Sequence, residues 1–320
     1  MNLLWRQCGF GWLAAIGCAI GAGVLADEAP QPGSFPFRVV GYLPDYRLDG
    51  YVADPGAGLT DLIYFSISVE PTGAIDARQL RGPVLGALHK LQDQLKVRLH
   101  VCVGGWGRSQ GFAPLARSPA ARARFARELT QFCRENRFDG ADIDWEHPAT
   151  ADEQCDYGTL LAQLRQSFRP LALQLTIAVA GWQVLTPAAI DAVDRIHLMA
   201  YDSPGRHSTL EFAKSEIERL VKQGAAHAKI CLGIPFYGRQ VAHADQSQTW
   251  AEIVENFHPG PGDDEQGGFS FNGIDTVTKK TRLARSARLA GVMVWELGQD
   301  ARGQLSLLRA IGRAAARPTP

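Results

Sequence analysis

Three carboxylic acids, Asp142, Asp144 and Glu146, stand at every second position of the chain and alternate with apolar residues. Successive side chains of an extended strand point to opposite faces, so these three carboxyl groups are expected to project to one side. An acidic edge strand or turn explains one or two such residues, but like charges repel and aspartate is depleted in strands. Close carboxyl groups suit acid–base chemistry, because repulsion and burial separate their pKa values and leave one protonated at neutral pH. The pattern predicts a catalytic cluster, named here the acid row.

Apolar runs typical of buried strands alternate with segments of helical spacing over roughly 280 residues. The predicted strands are 37–43, 61–69, 97–104, the acid row, 173–180, 194–201, 229–236 and 291–295. The predicted helices are 83–95, a helix opened by Ser118 and Pro119, 160–168, 208–223, 249–257, 276–290 and 301–313. The helix 208–223 begins with a capping box of Ser208 and Glu211. Eight strands buried on both faces predict an α/β fold, a single-domain (β/α)8 TIM barrel. An open doubly wound sheet is the alternative, but its glycine-rich phosphate turn is missing, since Gly104–Gly107 lacks the dinucleotide spacing.

Informative residues, most of them aromatic or acidic, accumulate where the predicted strands end, which is the face on which a TIM barrel carries its active site. They are Tyr42 after the first strand, Gly105 and Trp106 after the third, Glu146 at the fourth, Tyr201 and Asp202 at the sixth, Tyr237 at the seventh and Trp295 at the eighth. A single aromatic residue is more often core or rim packing than a ligand contact. Together they describe a groove with aromatic faces and acids, which suits sugar rings with apolar faces and outward hydroxyl groups.

Composition and charge narrow the classes of partner. The chain has 320 residues, of which 46% are hydrophobic, with 33 basic and 33 acidic side chains. This is an ordinary globular composition with ample material for one large core. Zero net charge favours neither a nucleic-acid partner nor a polybasic membrane contact, and it is compatible with a neutral polysaccharide.

The N-terminal segment has the pattern of an export signal. Arg6 precedes an apolar run from Cys8 to Ala26 that ends in small residues. We expect a signal peptide over 1–26, a linker over 27–36 and a catalytic domain over 37–315, in a secreted or periplasmic protein. A retained membrane anchor is the alternative, but the run is rich in Gly and Ala and ends like a cleavage site. No membrane association is expected after cleavage.

Four cysteines remain after removal of the predicted signal: Cys102, Cys133, Cys155 and Cys231. Their spacing matches no zinc pattern, and no metal or cofactor is expected. Cys102 and Cys231 fall in apolar strand-like runs, so we expect buried small hydrophobic residues there. One disulfide stays open as an alternative.

The stretch 139–146 resembles the signature Asp-Gly-x-Asp-x-Asp-x-Glu of glycoside hydrolase family 18, which includes chitinases and endo-β-N-acetylglucosaminidases. Further segments look like family motifs in the family's order. Residues 101–106 resemble the motif Ser-x-Gly-Gly, Met199–Asp202 matches Met-x-Tyr-Asp, and 233–239 and 292–295 are also similar to family segments. The resemblance covers nearly the whole mature chain.

The resemblance implies retaining hydrolysis in which the 2-acetamido group of the substrate is the nucleophile, an exception to the two-carboxylate scheme. Glu146 would be the general acid and base, and Asp144 would orient the acetamido group and share a proton with Asp142. Tyr201 would hold the acetamido oxygen. The substrate-binding residues implied are Tyr42, Gly105, Trp106, Met199, Asp202, Tyr237 and Trp295. Asp139 is expected to be structural, and no special role is expected for His147.

Two departures from the family pattern matter. Cys102 stands where the family has Ser, which removes a good hydroxyl donor near Asp142. Only 52 residues, 239–290, separate the seventh and eighth strand regions. That length is too short for the full α+β insertion domain of many family members, so we expect an open groove. Trp106 and Trp182 are candidate stacking platforms on its rim, although Trp182 could instead lie in the core.

Three hypotheses follow from these observations. The first is a secreted, monomeric hydrolase of β-1,4-linked N-acetylglucosamine in chitin or similar glycans. The second keeps the chemistry but acts on peptidoglycan or on N-glycans. The third is a non-catalytic sugar-binding protein, and the presence of Glu146 favours catalysis over it.

Overall fold

The computed structural model describes residues 37–316. The predicted signal peptide 1–26 and linker 27–36 therefore lie outside the described residues. The strands are β1 (Arg38–Pro44), β2 (Asp61–Val69), β3 (Ile75–Asp76), β4 (Arg98–Gly104), β5 (Gly140–Asp144), β6 (Gln174–Ala180), β7 (Arg195–Met199), β8 (Ile230–Pro235), β9 (Tyr237–Gln240), β10 (Ser247–Thr249), β11 (Glu265–Gln266), β12 (Phe269–Ser270) and β13 (Gly291–Trp295). The α-helices are α1 (Pro83–Leu95), α2 (Phe112–Arg117), α3 (Pro119–Glu135), α4 (Ala151–Phe168), α5 (Pro187–Ala192), α6 (Leu210–Lys222), α7 (Trp250–Phe257), α8 (Ile274–Ser286) and α9 (Leu307–Ala316).

Eight parallel strands close into a barrel in the order β1, β2, β4, β5, β6, β7, β8 and β13. Closure occurs where β1 pairs with both β2 and β13. The strands are almost entirely buried, because the helices cover the outer face of the barrel and side chains fill its interior. The predicted TIM barrel is confirmed. None of the helices within 37–316 is long and apolar enough to cross a membrane.

The segment between β8 and β13 is a small subdomain of strands and helices. Strands β9 to β12 form a four-stranded antiparallel sheet in the order β10, β9, β12, β11, accompanied by α7 and α8. The sequence predicted only the helices, since strands of two to four residues carry too little alternation to detect. The expectation that this segment holds no full insertion domain is confirmed.

Local capping rules place the helix that precedes the acid row. Ser118 accepts a hydrogen bond from the Ala121 backbone N–H, and Pro119 occupies the first turn, as predicted. The apolar face of α3 buries Phe125 and Leu129 against the barrel. The strand that follows is fixed at its entry by Asp139, whose carboxylate accepts from the Leu99 backbone N–H at 2.8 Å. The structural role expected for Asp139 fits this contact.

Several predicted boundaries are wrong, among them the start of α4, which lies at Ala151 rather than at 160, and two of them have an identifiable reason. Helix α6 is capped by Thr209, which accepts from the Phe212 N–H at 3.0 Å, because the Ser208 hydroxyl is engaged with the Ala200 carbonyl. Helix α8 begins at Ile274 rather than at 276. Helix α9 begins at Leu307 rather than at 301, because the Asp300 carboxylate accepts the N–H groups of its first residues.

All four cysteines within 37–316 are free. Cys102, Cys133 and Cys231 are buried, and Cys155 is exposed. The prediction that Cys102 and Cys231 are buried small residues is confirmed.

The floor of the barrel, at the N-terminal ends of the strands, holds a buried ion cluster around Asp61. Its carboxylate accepts hydrogen bonds from Thr60 at 2.6 Å and from Arg195 at 3.2 Å, and the Arg98 guanidinium lies 2.7 Å away. Burial alone would raise the pKa of Asp61, but His100, Arg195, Arg98 and the hydrogen bond from Thr60 hold it below its usual value. Burial lowers the pKa of the neighbouring His100 to about 3, so its ring is neutral at neutral pH. Asp61 is therefore the counter-charge for the buried arginines.

We predict that Asp61→Asn lowers the free energy of unfolding at neutral pH by about 3 kcal/mol, since it leaves arginines buried without a counter-charge. Denaturant unfolding of the variant and of the control Asp49→Asn, at an exposed position, measures the difference. The folded-state pKa of Asp61 is lowered, so its contribution is present above the pKa of the unfolded state and is lost as pH falls. The gap between wild type and Asp61→Asn should therefore shrink in acid. Equal stability of both variants at neutral pH would contradict the assignment.

Candidate active site

The acid row lies at the C-terminal end of β5 and faces the interior of the barrel. Asp142 and Asp144 belong to β5, and Glu146 follows two residues later. Asp142 contacts side chains from β1, β6 and β7, so its carboxylate lies inside the barrel wall. The predicted alternation is correct in β5, because the apolar neighbours Ala141 and Ile143 are buried in the outer hydrophobic core.

Asp142 is an anion held by three donors. The Tyr42 hydroxyl donates to Oδ2 at 2.7 Å, the Thr176 hydroxyl donates to Oδ1 at 2.5 Å, and His197 Nδ1 lies 3.1 Å from Oδ1. Complete burial would raise the pKa of Asp142, but His197 and the two hydroxyl groups outweigh burial and lower it. Asp142 is therefore ionised at neutral pH.

The pKa of Asp144 is shifted in the opposite direction. Burial raises its pKa well above the usual value, and the negative charges of Glu146 and Asp142 raise it further. Its Oδ1 atom is buried and has no hydrogen-bond partner among residues 37–316. Within those residues no hydrogen bond joins Asp144 to Asp142, whose oxygens accept from other donors, so the expected proton sharing is not made in this structure. Burial and the neighbouring charges instead favour the protonated form of Asp144.

Glu146 carries a proton near neutrality. Burial raises the pKa of its carboxyl group to about 7, and the charge of Asp202 adds to this, while the Trp106 backbone N–H opposes it. The backbone N–H of Glu146 donates to Ser109 Oγ at 3.1 Å, and that hydroxyl lies 3.1 Å from the Asp144 carbonyl oxygen. The loop after β4 thus fixes the turn that presents Glu146. A carboxyl group with this pKa can act as an acid and as a base at neutral pH.

A second carboxylate, Asp202, is held in the loop after β7. It accepts hydrogen bonds from the Tyr237 hydroxyl at 2.6 Å and from Arg239 Nε, and His207 Nδ1 lies 3.4 Å away. Burial would raise the pKa of Asp202, but hydrogen bonds from His207, Arg239 and Tyr237 lower it. The Asp202 backbone adopts a left-handed conformation with φ of 67°, which turns the chain sharply after Tyr201.

Aromatic rings form a floor between the acid row and Asp202. The Trp295 ring centroid lies 4.7 Å from that of Phe65 and 5.6 Å from that of Tyr42. Met199 and Tyr201 pack against the same cluster. Gly105 has φ of +99°, and a Cβ atom there would lie 2.2 Å from Phe65, so only glycine fits beneath the acids.

The two candidate platforms are both exposed on the rim. The exposed fraction is 79% for Trp106 and 59% for Trp182, so the core alternative for Trp182 is wrong. The Trp182 ring lies edge-on to His147, with centroids 4.6 Å apart. Both indoles are therefore available to a ligand that lies across the groove.

Cys102 takes no part in holding Asp142. It is fully buried beside Asp142 on the neighbouring strand, and burial raises the pKa of its thiol well above the usual value. No hydrogen bond joins the thiol to a residue of the described chain. The hydroxyl donor that this position lacks is supplied by Tyr42 and Thr176.

The structure brings together every predicted site residue and adds several that sequence reasoning missed. They are Phe65, Ser109, Thr176, His197, His207 and Arg239. Thr176 and His197 gave a usable signal, because each interrupts an apolar strand with a polar side chain. Phe65 gave none, since an aromatic residue in a buried strand is ordinary.

Comparison with known proteins agrees with this geometry. The family model Glycosyl hydrolases family 18 matches residues 38–300. Chitinase 1 of Aphanocladium album is 28% identical over 279 residues, covering 69% of this chain and 66% of that protein. Probable chitinase 10 of Drosophila melanogaster is 26% identical over 281 residues, covering 64% of this chain and 12% of that protein. The chain thus spans less than two thirds of the length of these relatives.

A solved structure has the same architecture. The family 18 chitinase from the chitin utilization locus of Flavobacterium johnsoniae superposes with a TM-score of 0.78 at 28% identity, covering 88% of this chain and 94% of that one. The strand order, the acid row and the family match lead to one assignment. The chain belongs to glycosyl hydrolases family 18.

Proposed function

We propose that the protein is a glycosidase that cleaves β-1,4-linked N-acetylglucosamine in chitin or chitin-like glycans, with Glu146 as general acid and base. One observation carries the proposal: a carboxyl group with a pKa of about 7 stands beside Asp144, whose pKa is raised well above its usual value, at the mouth of the barrel. The names of the relatives support chitin as substrate, since those proteins are described as chitinases.

The first step breaks the glycosidic bond. Protonated Glu146 gives its proton to the leaving oxygen, and the acetamido oxygen of the same sugar attacks C1 from the opposite face. The product is a cyclic oxazolinium ion with the leaving saccharide released. In the second step ionised Glu146 takes a proton from water, which opens the ring at C1 with net retention of configuration.

Asp144 and Asp142 act on the acetamido nitrogen. The unpartnered Oδ1 of Asp144 is the atom that can accept the acetamido N–H and orient its oxygen towards C1. As positive charge grows on the nitrogen, the proton of Asp144 can pass towards ionised Asp142, which leaves a negative charge beside the oxazolinium ion. Buried opposite charges interact strongly here because water is excluded.

Aromatic and polar groups hold the sugar in place. Trp295 is the apolar floor of the cleavage subsite, with Tyr42 and Met199 in its wall. In this proposal the Tyr201 hydroxyl holds the acetamido oxygen. Asp202, fixed by Tyr237, offers a carboxylate to sugar hydroxyl groups.

An open groove supports action on internal bonds. The exposed Trp106 and Trp182 lie on the side of Glu146. A separate pocket of about 850 Å³ lies at the loops after β1 and β13, lined by Tyr46, Tyr51, Leu297 and further residues but by none of the acid row. We propose that a chain binds along this face without threading an end, in a protein exported by segment 1–26 and acting as a monomer.

We predict that Glu146→Gln folds normally and loses at least a factor of about 10² to 10⁴ in hydrolysis of N-acetylglucosamine oligomers. The amide has nearly the same shape but no proton to transfer. The matched control is Glu135→Gln, at an exposed position on α3, which should retain full activity. Near wild-type rates in a folded Glu146→Gln protein would remove Glu146 from its role. A wild-type protein that binds the oligomers without cutting them would instead be a sugar-binding protein.

The raised pKa of Glu146 sets the alkaline limb of activity. The reactive form is protonated, so kcat/KM should fall about tenfold per pH unit above a midpoint near 7. Initial rates on a soluble, uncharged oligomer across the pH range measure this limb. A midpoint near 4.5, the ordinary value for glutamate, would contradict a buried, desolvated acid.

The acetamido group should be indispensable, because it supplies the nucleophile. Glucosamine oligomers and cellulose oligomers of equal length should not be cut, whereas N-acetylglucosamine oligomers are. A thiazoline analogue of the oxazolinium ion should inhibit, since active sites bind species that resemble the transition state more tightly than substrates. Efficient cleavage of cellulose oligomers would reject substrate assistance.

A further inference from the structure

Glu146 has a histidine neighbour for which the mechanism above has no use. His147 Nε2 lies 3.6 Å from Glu146 Oε2, and both side chains are mostly buried, with exposed fractions of 17% and 13%. The other ring nitrogen, Nδ1, lies 3.2 Å from Gln183 Oε1. One ring therefore links the acid to a buried amide in the loop after β6.

We propose that His147 and Gln183, named here the relay pair, position the Glu146 carboxyl group in both of its protonation states, by exchanging hydrogen-bond donor and acceptor. The inference rests on the proposed function of Glu146 and adds a positioning role to it. The role expected for His147 from sequence was none.

The contact with Gln183 fixes which nitrogen of the ring carries the proton. An amide oxygen only accepts, so Nδ1 must be protonated when it faces Gln183 Oε1. In a neutral ring Nε2 then has a free lone pair, and this nitrogen lies 3.6 Å from Glu146 Oε2, within reach of a small side-chain adjustment. That arrangement complements a protonated carboxyl group, which can donate to Nε2.

The opposite arrangement, in which Gln183 donates and His147 Nδ1 accepts, is available without the loss of a hydrogen bond. Gln183 is 98% buried, with a relative exposure of 2%, and its Nε2 has no hydrogen-bond partner among residues 37–316. Rotating the amide by half a turn therefore loses no hydrogen bond, and its NH2 then donates to Nδ1. The ring proton leaves Nδ1 for water, and water returns one to Nε2, so the total charge does not change. Nε2–H can now donate to an ionised Glu146.

The surrounding structure restrains the Gln183 backbone and the His147 ring without restraining the side-chain amide of Gln183. The Gln183 carbonyl oxygen accepts from Gln223 Nε2 at 3.1 Å, which ties the loop to the end of α6. Trp182 packs edge-on against the His147 ring. Backbone and ring are therefore fixed, and only the amide and the ring proton need to change.

Within residues 37–316 no cation from another element competes for this role. The groups that face Glu146 are the Asp144 carboxyl group from β5, the Asp202 carboxylate from the loop after β7 and the uncharged Trp106 backbone N–H. Asp202 is itself paired with Arg239. Burial lowers the pKa of His147, so its ring is neutral where the enzyme works. A neutral ring can serve both states of Glu146, whereas an imidazolium would favour only the ionised one.

Nitrogen-15 NMR of protein labelled at histidine tests the exchange directly and needs no catalysis. At pH values below the midpoint of the alkaline limb His147 should carry its proton on Nδ1, and at pH values above that midpoint it should carry it on Nε2. Comparison with His147→Phe identifies the signals of His147. In Glu146→Gln the amide can always donate, so Nδ1–H should persist at both pH values. The same tautomer on both sides of the limb in wild type, or an imidazolium across it, would overturn the proposal.

Gln183→Glu provides a kinetic test, because the proposal and a purely through-space effect shift the alkaline limb of activity in opposite directions. If His147 faces residue 183 through Nδ1, the new carboxylate makes the ring an imidazolium, which lowers the pKa of Glu146 and moves the alkaline limb down by about one unit or more. A carboxylate that acted only through space would move the limb up. Gln110→Glu is the matched control on the same rim, at an exposed residue, and it should show only the small upward effect.

The double variant His147→Phe/Gln183→Glu should lose the downward shift. An upward shift in Gln183→Glu alone would overturn the proposal. If the wild-type protein cuts no N-acetylglucosamine oligomer, the proposed function fails, and the NMR result still decides whether the relay pair responds to Glu146.

Discussion

Carboxyl groups buried side by side cannot all be ionised, and this constraint organises the mouth of the barrel. The Asp142 carboxylate faces three hydrogen-bond donors, so it carries the negative charge. Asp144 has an oxygen without any donor, so it keeps its proton, and the partly buried Glu146 titrates near 7. The three acids differ in their partners rather than in their own chemistry. The difference gives the site an anion, a proton store and a proton donor within five residues of sequence.

Only a closed barrel can deliver the donors that create this difference. Tyr42 comes from β1, Thr176 from β6 and His197 from β7, and they reach Asp142 on β5 because all these strands surround one interior. The charged floor around Asp61 closes the same interior at its other end. Packing between these two polar layers excludes water, which keeps the pKa values apart and strengthens electrostatic interactions at the reacting atoms.

The sequence allowed prediction of the barrel and the acid row, because buried parallel strands and period-two acids are strong local patterns. It could not show what holds each acid. Thr176 and His197 reach Asp142 only after strands distant in sequence pair, and Gln183 meets His147 through a loop conformation that no local pattern encodes. The small sheet of β9 to β12 was not predicted for a related reason, since its short strands are stabilised by each other and by α7. Residue types near the strand ends were predictable, whereas their protonation states needed three-dimensional contacts.

The central claim is that Asp142 is ionised while Asp144 is protonated in the free protein. Neutron diffraction from a deuterium-exchanged crystal at neutral pH locates the protons on both carboxyl groups. The account predicts a deuteron on an oxygen of Asp144 and none on Asp142, whose oxygens should accept from Tyr42, Thr176 and His197. A deuteron on Asp142, with Asp144 bare, would contradict it.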